Sequence, residues 1–181
     1  MRSADLHILT GSFGVGKTTI LDNIGDSVRF IGEPAREIIA EQRAINGTDY
    51  DPVPSLFVEL LLQRSIENHE AAQAWEGPVL FDRGIPDCIA HASHMGLDLS
   101  AGTSASQAYR YNRDVLLLEP WEEIYTTDDL RTLSFEETLP FHGAIVDAYE
   151  RTGYTLVPVP RGTVEERTAF VRDFIADGSD R

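Results

Sequence analysis

The sequence predicts an α/β fold in which helices flank a doubly wound, five-stranded parallel sheet. Five short apolar runs alternate with segments of helical periodicity, the pattern that crossover helices between parallel strands produce. The third run is continuously apolar and ends in a carboxylate, as expected for a strand buried on both faces. The predicted strands are residues 6–10, 28–32, 78–82, 115–118 and 154–159.

Turn and capping residues give the expected helix boundaries. Pro34 stands where proline favours the first turn of a helix, and Ser55 is the expected N-cap of a long one. Thr163 and Glu166 have the spacing of a capping box. The predicted helices span 18–25, 35–45, 55–75, 86–95, 135–151 and 163–176, with another after residue 104. In the helix predicted over 135–151, the residues expected to face the core are Leu139, Ile145, Val146 and Tyr149.

Composition narrows the class of protein. The 181 residues suit one domain, 1–181, with a full core. A formal net charge of -15 disfavours nucleic acid and anionic membranes as partners, and Lys17 is the only lysine. The single Cys88 fits a reducing compartment, and no apolar run is long enough for a signal peptide or a membrane span. We therefore expect a cytoplasmic protein, monomer or homodimer.

A phosphate-binding motif lies near the amino terminus. Residues 11–18 match G-x-x-x-x-G-K-[ST] between an apolar strand and a helix, which is the setting that a P-loop requires. Glycines at 11, 14 and 16 allow positive φ angles, so that several backbone N–H groups can point at one polyphosphate. Lys17 is expected to reach the β- and γ-phosphates and Thr18 to bind magnesium. The predicted nucleotide-binding residues are Gly11, Ser12, Phe13, Gly14, Val15, Gly16, Lys17, Thr18 and Thr19.

Charged residues after the second and third strands are candidates for chemistry, because ligands bind at the carboxyl ends of parallel strands. Asp82 is expected to hold magnesium through water beside Thr18; the alternative is an aspartate that caps the next turn. Arg83 suits an acceptor phosphate or carboxylate, or is a surface ion pair. Glu33, one turn before Arg36, could accept the proton of an acceptor hydroxyl, or could be a helix N-terminal charge.

Two further groups are weighed against simpler interpretations. Arg131 belongs to a polar lid segment, about 119–133, and could close over the triphosphate, with Arg110 and Arg113 as weaker alternatives. It could equally be a solvated loop residue. The trio of Cys88, His91 and His94 has helical spacing that suits a metal, but no fourth ligand is evident, and a partly buried helix face is favoured.

Together these motifs resemble the small AAA-like P-loop predicted ATPases. That group shares its domain with ribosylnicotinamide kinase and is similar to nucleoside and nucleotide kinases. The resemblance implies a P-loop NTPase fold, with Lys17 and Thr18 on phosphate and metal, Asp82 on metal, Glu33 at the acceptor and Arg131 in the lid. The segments that carry it are 11–18, 33–37, 61–64, 81–87, 119–121 and 129–131.

Two functions follow as hypotheses. The first is a kinase that moves the γ-phosphoryl of Mg²⁺-ATP to a hydroxyl of a nucleoside-like or other small molecule, with Lys17, Glu33, Asp82, Arg83 and Arg131 as catalytic residues. The second is an ATPase or GTPase module whose nucleotide state switches a protein or lipid partner. ATP is the expected nucleotide and GTP is the alternative; no Asn-Lys-x-Asp guanine-reading element occurs in the chain, so the motifs do not specify the base.

Overall fold

A five-stranded, fully parallel sheet forms the centre of the molecule, with strand order β2-β3-β1-β4-β5. The computed structural model describes residues 5–25, 28–47, 52–126 and 133–178. Its strands are β1 Asp5–Gly11, β2 Arg29–Ile31, β3 Pro78–Asp82, β4 Asp114–Leu118 and β5 Thr155–Pro158. Its helices are α1 Lys17–Asn23, α2 Pro34–Asn46, α3 Pro54–Ala72, α4 Ile85–His94, α5 Ser100–Ala108, α6 Phe135–Arg151 and α7 Val164–Gly178, with a short 3-10 helix at Glu122–Ile124.

The register of the central strands brings their carboxyl ends together. Leu9 of β1 pairs with Asp82 of β3, and Gly11 of β1 pairs with Leu118 of β4. The chain leaves β1 toward one side of the sheet and leaves β4 toward the other, so a crevice opens between these two strands. The predicted doubly wound parallel fold is confirmed, and β2 lies one strand removed from β1.

Helices cover both faces of the sheet because the three central strands, β1, β3 and β4, bury both of their faces. Alternate residues such as Ile8 and Leu117 pack against α4, α5 and α6, whereas their neighbours Leu9 and Leu116 pack against α1 and α7. A third apolar cluster joins α2, α3 and α4. Complete burial of one such aliphatic side chain is worth about 1.5–3 kcal/mol, so the sheet carries much of the core's stability.

The structure corrects several boundaries. Helix α3 begins at Pro54 with Val53 as N-cap, not with Ser55, because proline at the first helical position loses no hydrogen bond. Helix α5 begins at Ser100. Leu139 was expected inward but is 42% exposed, since the buried stripe of α6 runs through positions one residue away from it, including Thr138. The Thr163–Glu166 capping box is confirmed, with both reciprocal hydrogen bonds present.

None of the described helices combines the length and the apolar character needed to cross a lipid bilayer. The longest, α3, has 19 residues and carries charged side chains along its length.

Candidate active site

The loop between β1 and α1 is bent by glycines. Gly11, Gly14 and Gly16 have φ angles of 145°, 68° and 88°, in the region that residues with a side chain rarely adopt. A side chain at Gly11 would also collide with the Leu118 carbonyl oxygen of β4. Residue 11 therefore requires glycine for two reasons, and the loop lies tightly against the crevice between β1 and β4.

Lys17 is drawn across this loop. Its buried Nζ donates hydrogen bonds to the carbonyl oxygens of Gly11, at 3.1 Å, and Ser12, at 3.0 Å. The hydroxyl-bearing side chains of Thr18 and Thr19 are exposed at the beginning of α1. An ammonium group, accessible hydroxyls and helix N-terminal N–H groups thus meet at one place, which suits a phosphate chain with its metal ion.

A cavity of about 420 Å³ lies in front of this loop. It is bounded on one side by the loop and on others by the start of α2, the segment after β4 and the start of α7. The residues around it are Gly14, Val15, Gly16, Lys17, Thr18, Thr19, Ile20, Arg36, Trp121, Ile124, Thr126, Gly162, Val164 and Arg167. Its size is in the range of small-molecule sites.

Asp82 ends β3 beside the loop and is 4% exposed. Burial raises the pKa of its carboxyl group, and Lys17 opposes that rise. Its Oδ1 atom is buried without a hydrogen-bond partner among the described residues. An orphaned carboxylate oxygen near a phosphate loop fits a magnesium ion, which takes oxygen ligands, so Asp82 and the Thr18 hydroxyl are suitable groups to hold one.

Glu33, Arg83 and Arg36 form an ion-paired cluster at the same edge of the sheet. Arg83 Nε donates to Glu33 Oε1 at 2.9 Å, and Arg36 Nε donates to Glu33 Oε2 at 3.1 Å. Arg83 has φ 76°, the only positive value at a non-glycine residue in the described ranges. Such strain persists only where the surroundings hold it, and it is common at functional sites. The alternative interpretation of Arg83, a surface ion pair, is wrong about the location, because the side chain is ion-paired but only 3% exposed.

Asp87, which the sequence reading did not single out, holds this cluster in place. Its carboxylate accepts hydrogen bonds from Thr10 Oγ1 at 2.7 Å, Arg83 Nη1 at 3.1 Å, the Gly84 N–H at 2.9 Å and the Tyr149 hydroxyl at 2.5 Å. An acidic residue in the first turn of a helix was the one available signal. The arrangement fixes two nitrogens of Arg83 and leaves Nη2 buried without a partner in the part of the chain described.

Aromatic rings form a wall beneath the Arg83 guanidinium. Phe13 and Phe141 are stacked with centroids 4.8 Å apart, and the guanidinium carbon lies 5.7 and 5.6 Å from their centroids. His91 contacts Phe141 at 4.5 Å and Phe57 at 5.5 Å. Burial, and then the positive charge of Arg83, lower the pKa of His91 to about 3, so its ring is neutral at physiological pH.

The structure gives no support to a metal site at Cys88. The Cys88 thiol lies 3.5 Å from the Ser65 hydroxyl, and burial raises its pKa to about 12. Within residues 5–25, 28–47, 52–126 and 133–178 no three histidine, cysteine, aspartate or glutamate side chains are grouped as metal ligands. Cys88 and His91 are buried and His94 is exposed, so the three residues fit the favoured interpretation of a partly buried helix face.

Of the three candidate lid arginines, the two weaker alternatives lie outside the site. Arg131 lies outside the described residues, so its predicted role stays a prediction. Arg110 donates to the Ser106 and Thr152 carbonyl oxygens, and Arg113 immediately precedes β4. Both are therefore at the amino edge of the sheet, opposite the loop, and they are wrong as lid candidates.

The fold and the loop define a P-loop nucleotide-binding domain. A family model described as "AAA domain" matches residues 6–167, and the chain therefore belongs to this family. No curated protein matches the sequence.

Solved structures with a similar fold include nucleoside and nucleotide kinases. Deoxyadenosine kinase from M. mycoides, solved with dCMP and a flexible dCDP as products, is 14% identical with TM-score 0.67, covering 95% of this chain and 99% of that one. Thymidylate kinase from Ehrlichia chaffeensis is 15% identical with TM-score 0.62, covering 96% and 99%. Thymidylate kinase from Candida albicans is 15% identical with TM-score 0.60, covering 98% and 93%.

Proposed function

We propose that this protein is a small-molecule kinase, which transfers the γ-phosphoryl group of Mg²⁺-ATP to a hydroxyl of a nucleoside-like acceptor. The observation that carries the proposal is the carboxylate of Glu33, held by two arginines at the edge of the sheet that bears the phosphate loop. The kinase folds of the similar structures agree with it.

In this proposal each group has one task. Lys17 balances charge on the transferring phosphoryl, and Thr18 and Asp82 hold magnesium, which supplies positive charge to the phosphate oxygens when bound. Glu33 accepts the proton of the acceptor hydroxyl as the oxygen bonds to the γ-phosphorus. The bond from that phosphorus to the bridging oxygen breaks, and ADP leaves with the electron pair.

Local charge favours an uncharged acceptor over a phosphomonoester. Among the ion pairs between described residues, two guanidinium groups, those of Arg83 and Arg36, pair with two carboxylates, those of Glu33 and Asp87. A second anion from an acceptor phosphate would find this charge already balanced. The acceptor class is therefore closer to that of a nucleoside kinase than to that of a thymidylate kinase.

The segment after β4 is proposed as a lid. Its Tyr125 ring lies against Gly14 of the phosphate loop, and the Tyr125 hydroxyl donates to the Leu133 carbonyl oxygen at 2.5 Å. We expect Arg131→Ala to spare ATP binding and to lower turnover, because one arginine on the transferring phosphoryl acts only during transfer. A near-normal rate would assign the lid role to another residue.

The test follows ADP release with Mg²⁺-ATP and a panel of acceptors: nucleosides including ribosylnicotinamide, and their monophosphates. Nucleosides are expected to raise turnover above the basal rate, and Glu33→Gln to lower it by roughly 10²- to 10⁴-fold while ATP affinity stays within a factor of about two. Glu37→Gln, an exposed carboxylate on the same helix, is the matched control. If no acceptor raises the rate of ADP release, the result contradicts the kinase proposal and favours the alternative, an ATPase or GTPase module that switches a partner.

A further inference from the structure

Arg167 of α7 borders the cavity in front of the phosphate loop. It is 6% exposed, and its Nη2 donates to the Val15 carbonyl oxygen of the loop at 2.8 Å. Its Nη1 lies so close to Gly16 that a Cβ atom there would be 2.8 Å away. The guanidinium is therefore in contact with the two loop residues that precede Lys17.

This buried cation has no anionic partner among the residues that the structure describes. Among the described residues no carboxylate lies within ion-pair distance of Arg167, and its Nε is buried without a hydrogen-bond acceptor. Burial accordingly lowers its pKa. Buried charges in proteins are almost always paired, so a cation left unpaired beside a ligand cavity indicates an anion supplied by the ligand.

A tryptophan supports the guanidinium. Trp121 is half-buried, and its ring centroid lies 5.6 Å from the guanidinium carbon of Arg167 and 5.6 Å from that of Arg161. Arg161 is exposed, donates to the Pro120 carbonyl oxygen and does not border the cavity. The two arginines thus share one aromatic contact, and only Arg167 combines it with burial at the phosphate loop.

We propose that Arg167 binds the phosphate chain of the nucleotide and is a second cation of the phosphate site, beside Lys17. The planar guanidinium can donate to two phosphate oxygens, which an ammonium group cannot match. The role rests on the nucleotide site of the proposed kinase but not on any acceptor. Arg167 also connects α7, the last helix described, to the phosphate loop between β1 and α1.

Calorimetry with inorganic triphosphate and with ATP, both with Mg²⁺, tests the role directly. Arg167→Gln can still donate to the Val15 carbonyl oxygen but carries no charge, and we expect it to weaken both ligands by a similar factor, roughly 10- to 100-fold. Arg167→Lys should recover part of the loss because it restores the charge. Arg161→Gln, which shares the Trp121 contact, should stay within a factor of about two.

The affinity for inorganic triphosphate decides whether Arg167 binds phosphate. Unchanged triphosphate affinity in Arg167→Gln overturns the proposal, whether ATP affinity is unchanged or reduced, since the residue would then be a strut or a contact of the base or sugar. If that variant does not fold, a crystal structure of the wild type with Mg²⁺ and triphosphate decides: a phosphate oxygen about 3 Å from the guanidinium supports the role, and its absence overturns it. Wild-type binding of triphosphate without any acceptor-dependent turnover would contradict only the kinase function.

Discussion

The two halves of the site differ in how their charges are balanced. Around Asp87 and Glu33, the buried Arg83 and the partly exposed Arg36 pair with carboxylates, and the Asp87 carboxylate accepts four hydrogen bonds. At the phosphate loop, Arg167 has no carboxylate within ion-pair distance in the described part of the chain. The charges of the first half are paired within the folded chain, although Arg83 Nη2 lacks a hydrogen-bond partner among the described residues, whereas the second half is suited to an anionic ligand. Preorganised charge of the first kind orients a reacting group, and charge of the second kind binds phosphate.

This difference predicts where a substitution shows its effect. Breaking the Asp87 network removes partners from buried charges, so it should lower the free energy of unfolding and leave nucleotide affinity nearly unchanged. Removing a cation at the phosphate loop should do the reverse. A stability loss and an affinity loss of similar size in one variant would contradict this division.

Lys17→Ala should have the largest effect. The ammonium group is the only lysine of the chain and lies in the phosphate loop, so its loss should abolish triphosphate binding or reduce turnover by roughly 10³-fold, about 4 kcal/mol. Calorimetry and ADP release measure the two quantities. Asn23→Ala, an exposed substitution on the same helix, is the control. Normal turnover in Lys17→Ala would remove the phosphate loop from the mechanism.

Asp87→Asn should act on the other half. It leaves Arg83 with one carboxylate and replaces one of the two oxygens that together accept from four donors with an amide nitrogen, so the free energy of unfolding in urea should fall by about 3 kcal/mol. Asp98→Asn, an exposed carboxylate bonded to Ser100, should change it by less than about 0.5 kcal/mol. ATP affinity in Asp87→Asn should stay within a factor of about two. A large loss of ATP affinity would show that the two halves are coupled.

The features of this site that the sequence predicts are those with a local signal, such as an apolar run or a charged residue at the end of a strand. The strands were predictable because each is a short apolar run, and Glu33, Asp82 and Arg83 were found because each lies at the carboxyl end of a strand or within two residues after it. The carboxyl ends of parallel strands must meet at one edge, so placement at the sheet edge followed from topology alone. What each side chain would contact there did not follow.

The remainder depends on contacts between distant segments. Tyr149 reaches Asp87 across 62 positions, and Arg167 reaches Val15 across 152. Nothing in the local sequence around Arg167 distinguishes it from other arginines of an amphipathic helix. Burial decides which of them matters, and burial is set by how α7 packs on α1 and the sheet.

His91 offers a test by pH on the acceptor side. Its folded-state pKa of about 3 lies below the ordinary value of 6.5, so between these values the unfolded chain binds the proton more readily and the free energy of unfolding falls as pH falls. From pH 6.5 to 5 one such group contributes about 2 kcal/mol of that fall. Urea unfolding at both pH values should show a fall smaller by this amount in His91→Leu than in the wild type. An equal fall in both would mean that His91 protonates readily in the folded protein.

Tyr149→Phe should produce the smallest of these effects and separates charge from packing. The Tyr149 hydroxyl donates to the Asp87 carboxylate, whereas the Tyr154 hydroxyl accepts the Tyr111 N–H at 3.3 Å, and the two rings lie 5.6 Å apart in one core cluster. Because a hydrogen bond to a charged group is worth more than a neutral one, Tyr149→Phe should cost about 1.5 kcal/mol and Tyr154→Phe about 0.5 kcal/mol in urea unfolding. In an Asp87→Asn background the difference between the two should shrink, since the amide carries no charge. A difference that persists in that background would assign the cost to packing. The half of the site around Asp87 and Glu33 would then be stabilised by contacts of its aromatic rings and not by this charged hydrogen bond.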